Sequence, residues 1–147
     1  MVSLKRIFIY LWVLPTTAMG LPLLLAALLG GGRLRWVDGV GEASGGLARF
    51  MLRYLIPLRG GASAITFGHL VIACDQECLD WTRSHERVHV RQCERWGPLF
   101  IPAYLVAGLV TWMQGKRTYL DNPFEREAEM DAVDSASIQS GPRPRSF

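Results

Sequence analysis

Residues 64–96, AITFGHLVIACDQECLDWTRSHERVHVRQCERW, decide the fold. The first ten are apolar and rich in β-branched side chains, which reads as one strand, 64–73. Asp75 then stands where a helix N-cap belongs, its carboxylate able to accept from the first free N–H groups of a helix. No breaker intervenes until Gly97-Pro98, so that helix runs to Trp96. Upstream, Trp36–Val40 carries Asp38-Gly39 between β-formers, the mark of a tight hairpin. Leu47, Phe50, Met51, Tyr54 and Leu55 recur at helical spacing, and Pro57 with Gly60-Gly61 closes that helix. Strands and helices therefore alternate over a length that allows hardly more than one domain, 147 residues, and the expected class is α+β.

The long helix contains His85-Glu86-Arg87-Val88-His89. Histidines at i and i+4 project from one face, close enough for both imidazoles to hold one Zn²⁺. Glu86, beside the first histidine, is then placed to act as general base on a metal-activated water. With only three histidines in the chain, a chance match to this pattern is improbable. Other candidates take plainer readings. His69 alternates with Phe67 and Val71 and reads as a packed, hydrogen-bonded histidine. Cys93 continues the i+4 series but lies about 12 Å along the axis from His85, too far to share an ion with both histidines, and reads as a buried thiol. Cys74 and Cys78 lack the paired C-x-x-C spacing of a structural zinc site, and an odd total of three cysteines excludes a closed disulfide framework. Arg83, Arg87 and Arg91 repeat every four residues; this reads first as a solvated helix face, and second as a contact for anionic lipid headgroups.

Zinc needs a third protein ligand. Downstream, Asn122–Glu129 opens a new helix with three acidic residues, Glu125, Glu127 and Glu129. HExxH followed by Glu-x-x-Ala-(Asp/Glu)-x-x-Ala, here Glu125, Ala128, Glu129 and Ala132, resembles the gluzincin metallopeptidases. Within them it is similar to the membrane-embedded zinc proteases related to the CAAX-processing and heat-shock enzymes. The resemblance covers roughly residues 65–132. It implies a zincin-like domain, with Glu125 as third ligand and Glu129 orienting a ligand histidine from the second rank. The rival register, Glu127 with Asp131, has the same spacing without the alanine. The resemblance further implies that the edge strand beside the HExxH helix receives an extended peptide by strand addition. Tyr104 and Tyr119 are the candidates for stabilising an oxyanion.

Half of the chain is hydrophobic, 20% is charged, and the mean hydropathy is +0.16. This excess is concentrated. Residues 7–32 form 26 consecutive uncharged positions between Lys5-Arg6 and Arg33, enough for one tilted spanning helix and longer than a signal-peptide core. The expected organisation is a membrane anchor over 1–32, a zincin-like domain over 33–132 and a disordered Ser/Pro/Arg-rich tail over 133–147. Arg33, Arg35, Arg49 and Arg53 after the anchor lean the domain towards the cytoplasmic side. A second uncharged stretch, 96–115, is long enough to span. A single crossing there would separate His89 from Glu125 by about 30 Å, so the stretch is expected to break at its prolines and lie at the interface. A net charge of +3 falls far short of a nucleic-acid-binding surface. The function expected is a membrane-bound zinc peptidase acting on a peptide or membrane-protein substrate. The rival is a catalytically inactive scaffold that keeps the fold.

Overall fold

The computed structural model describes residues 3–56 and 61–139. In chain order they form α1 (Leu4–Met19), α2 (Leu21–Leu29), β1 (Arg33–Val37), β2 (Val40–Ser44), α3 (Leu47–Tyr54), β3 (Ala64–Phe67), β4 (Leu70–Ala73), α4 (Gln76–Trp96), a 3-10 turn (Gly97–Leu99), α5 (Phe100–Met113) and α6 (Pro123–Gln139). The class is α+β. Residues 57–60, which include the expected helix-closing Pro57 and Gly60, lie outside the described part.

One mixed sheet of order β1-β2-β4-β3 organises the domain. Asp38 and Gly39, with φ of 50° and 82°, make the two-residue turn that joins β1 to β2 in antiparallel register. β2 and β4 run parallel, Gly41 beside Leu70 and Ser44 beside Ala73. The stretch expected as a single strand over 64–73 is instead a hairpin. Gly68 (φ 60°) and His69 turn the chain so that Phe67 pairs with Leu70 and Ala64 with Ala73. Both arms are apolar because β4 is buried on both faces, so hydrophobicity carried no sign of the reversal. Alternation along β4 serves two cores: Leu70 and Ile72 pack with Ala27, Ala48 and Leu52 of α2 and α3, while Val71 and Ala73 face Leu79 and Val90 of α4.

The apolar N-terminal run is not one straight helix. α1 and α2 meet at 60° at Gly20. Pro22 has no N–H to return to residue 18, and Gly20 admits the Cβ of Phe67, which would stand 2.8 Å from any added side chain. α1 packs against the 3-10 turn, α4 and β3. Gln76–Met113 forms a helical segment of 38 residues that is long and apolar enough to cross a membrane by length and composition. Gly97 and Pro98 interrupt its hydrogen-bonding pattern as expected. Pro102 does not, since it falls in the first turn of α5, where its missing N–H costs nothing. Rather than packing closely on the domain, α5 leaves Leu105, Leu109, Trp112 and Met113 exposed.

Two further expectations are corrected. The tail predicted to be disordered from residue 133 is helical to Gln139, continuing α6, and residues 140–147 lie outside the described part. The arginine stripe of α4 is not a free solvated face at Arg83 and Arg87, whereas Arg91 stays exposed. Arg83 makes three bonds of 3.1–3.3 Å to the buried Glu42 carboxylate of β2, and Arg87 adds a fourth at 2.6 Å. Arg91 pairs with Asp131 at 3.3 Å.

Candidate metal centre

α4 begins at Asp75, whose carboxylate accepts from the Cys78 N–H at 2.8 Å, and its 21 residues carry both histidines on the side that meets α6. α6 begins where Asn122, fully buried, accepts from the Phe124 N–H at 3.0 Å and donates to the Tyr104 carbonyl at 3.1 Å. That double bond ties the start of α6 to α5 and places Glu125 opposite α4.

Three donors converge. His85 Nε2 lies 3.1 Å from His89 Nε2 and 3.2 Å from Glu125 Oε2, and His89 Nε2 lies 3.4 Å from Glu125 Oε1. Ligand atoms on a tetrahedral ion with bonds near 2.0–2.1 Å stand about 3.3 Å apart, so these separations suit a single ion without rearrangement. The cluster could hold a metal ion. Glu127, the rival third ligand, does not reach it; its carboxylate accepts from Gln92 at 3.0 Å and pairs with Arg95 at 3.1 Å. Glu129 stands 3.8 Å from His85 Nδ1, within ion-pair range but beyond a hydrogen bond.

The histidines are held by residues the motif did not single out. Gln92 Oε1 lies 2.8 Å from His89 Nδ1, which places the proton on Nδ1 and leaves the Nε2 lone pair facing the cluster. Its spacing of i+3 from His89 on one helix was the signal available. Glu86, buried beside His85, accepts a 2.6 Å bond at Oε2 from the Thr66 hydroxyl of β3. Nothing in the local sequence around Glu86 marks that partner.

Burial opposes the charge on Glu125, but the imidazoles of His85 and His89, when they carry a proton on Nε2, and then the Tyr104 hydroxyl bond at 2.6 Å, outweigh it and hold the carboxyl far below the usual range. The Tyr119 hydroxyl is pushed up by burial first and by the neighbouring Glu125 charge second, so it stays protonated as a donor. Both tyrosines line a groove of about 520 Å³ with Ile65, Phe67, Phe100, Ile101 and Leu105, and Glu86, His89 and Glu125 open onto it. His69, expected as a packed histidine, sits in the β3–β4 turn and bonds Glu94 at 3.0 Å. Cys93 is fully buried, and Cys74 and Cys78 are free thiols. No family model matches the chain, and no curated protein or solved structure does.

Proposed function

We propose that this chain is a membrane-associated zinc-dependent peptidase with a zincin-like site. The observation that carries the reading is the convergence of His85, His89 and Glu125, with His89, Glu125 and Glu86 opening onto an apolar groove. Two imidazoles and a carboxylate form a donor set that zinc favours. When bound there, zinc would supply a Lewis acid for a carbonyl and lower the pKa of water. The rest of the chemistry falls to the chain. Glu86 Oε1, free of the Thr66 bond, takes the proton from water and passes it to the leaving amine.

Substrate holding falls to β3. A two-residue hairpin closes on a hydrogen-bonded pair, here Phe67 with Leu70, and the alternation continues through Ile65–Ile72 to the Cys74 N–H on the Ser63 carbonyl at 2.9 Å. The outward N–H and C=O of Thr66 and Ala64 are therefore left to pair with an extended peptide. An apolar side chain of that peptide suits the groove lined by Ile101, Tyr104 and Leu105. Lipid is the second partner, met by the exposed apolar faces of α1, α2 and α5.

The test is metal analysis of purified full-length protein alongside peptide hydrolysis. About one zinc per chain is expected, largely lost in His85→Ala and retained in Glu86→Gln, with Glu86→Gln slowing turnover by about 10²–10⁴-fold. Stoichiometric zinc in His85→Ala protein would end the assignment. Full loading of the wild type without turnover on a broad membrane-peptide library would favour the non-catalytic scaffold.

A further inference from the structure

Gln92 is the largest fully buried amide of α4, and all its hydrogen-bonding groups are used. Its Oε1 accepts from His89 Nδ1 at 2.8 Å. Its Nε2 donates to the Phe124 carbonyl at 3.0 Å and to Glu127 Oε2 at 3.0 Å. Those two acceptors flank Glu125 on either side in sequence. The amide orientation is forced, because a flipped group would set its oxygen against the Glu127 carboxylate and its NH₂ against the imidazole N–H. One side chain thus grips a ligand histidine on α4 and the backbone immediately before the third ligand on α6.

We infer that Gln92 is a positioning residue that couples metal binding to the docking of α6. The inference rests on the metal-binding reading of the His85–His89–Glu125 cluster. Aligning His89 Nε2 and seating Glu125 are two separate orderings, and without a shared group each would have to be met independently as the ion binds. Through Gln92 they become one. When α6 lifts, the amide loses both its acceptors and is free to rotate away from His89. When His89 swings out, the amide oxygen loses its donor and its hold on Phe124 weakens. The outer partners of a metal-ligating histidine are generally worth about 10–100-fold in metal affinity. Here the same loss should also appear in α6, some 30 residues along the chain.

The experiment uses the full chain and zinc itself, with affinity read by chelator competition and α6 docking by amide hydrogen exchange over residues 123–132. In the wild type, zinc is expected to slow exchange in α6. Gln92→Met keeps the bulk and removes every hydrogen bond; it should weaken zinc binding by about 10–100-fold and lose much of the zinc-dependent protection of α6. Gln92→Glu keeps the acceptor for His89 but turns a carboxylate on Glu127, and should also weaken binding. Adding Glu127→Gln restores a donor between positions 92 and 127, though not the one to the Phe124 carbonyl, and should recover part of the affinity and of the α6 protection together. That rescue separates coupling from space-filling, and it stands even if Gln92→Met fails to fold. Wild-type affinity in folded Gln92→Met, or no recovery in the double variant, overturns the inference while leaving the metal site intact. Absence of zinc binding in the wild type would instead overturn the reading on which it rests.

Discussion

Thr66 and Asp75 each make a carboxyl-centred bond on α4, one at its middle and one at its start, and they differ in how far away the partner lies. Asp75 caps from three residues before its donor, so the pattern is local and the sequence shows it. Removing the cap with Asp75→Ala should cost about 1 kcal/mol in urea unfolding, whereas Asp75→Asn should cost little. The backbone N–H of Cys78 leads the groups that lower the Asp75 pKa. A carboxyl lowered in the folded state contributes stability that is present above the unfolded pKa of about 3.9 and is lost as pH falls through the folded value. Wild type should therefore lose thermal stability relative to Asp75→Asn only below about pH 4, and equal slopes there would contradict the cap. Thr66 meets Glu86 across 20 residues of sequence. Glu42 meets Arg83 and Arg87 across more than 40, which is why the arginines looked free. Thr66→Val leaves a buried carboxylate short of a donor, and should destabilise by about 1–3 kcal/mol, with Thr66→Ser restoring most of it. A Thr66→Val protein as stable as wild type would show that water replaces the hydroxyl.

Elements with a local signal were legible: the Asp38-Gly39 hairpin, α3, the N-cap of α4 and its Gly97-Pro98 end all stand where pattern put them. The β3–β4 hairpin was not, because Gly68-His69 is a turn carried by one glycine between two apolar arms, one partly and one fully buried. The docking of α1 was equally hidden, since it depends on glycines of other elements. Thr16 Oγ1 donates to the Gly97 carbonyl at 2.9 Å, and the Trp12 indole lies where a Cβ on Gly97 would stand. Gly97 also has φ 55° and ψ −131°, a backbone region close to glycine-only. Gly97→Ala should therefore combine backbone strain of about 1–3 kcal/mol with displacement of Trp12 from its seat. Gly115 supplies the control: its φ is 71° but nothing lies within 4 Å, so Gly115→Ala should show the backbone cost alone. Equal destabilisation by the two, with unchanged tryptophan emission in both, would mean that α1 is not seated through Gly97.

At the scale of the whole molecule, the metal cluster and the apolar helices limit each other. Glu125 reaches His85 within 3.2 Å, so the chain that leaves α4 through α5 must come back before α6. It does so along α5 itself, where Gly108 has only hydrogen towards Thr118 and Asn122. Fourteen residues make α5 itself about 21 Å long, so the helical segment Gln76–Met113 reaches the length of a hydrocarbon core of about 30 Å only together with the 3-10 turn and the end of α4, and Lys116 and Arg117 stand exposed just past its end. Sequence hydropathy scored 96–115 as a possible span because it sums over faces. At 100° per residue, Leu105, Val106, Leu109, Val110, Trp112 and Met113 instead fill one arc of about 160°, with Tyr104, Gly108 and Thr111 on the other side towards the protein. α1 repeats the arrangement, with Leu4, Ile7, Phe8 and Leu11 outward, Trp12 half-exposed beside Gly97, and Val13 and Thr16 buried. Two helices each apolar on one outer face fit an interface better than two bare spans do, since a tip bearing two cations would be costly inside the bilayer. The prediction is that α5 lies in one leaflet and does not cross. Cysteines at positions 95 and 116, in a chain with Cys74, Cys78 and Cys93 replaced, should both react with an impermeant reagent added to the same side of sealed vesicles. If 95 and 116 label from opposite sides, α5 crosses, and the His85–His89–Glu125 cluster must then work inside the bilayer.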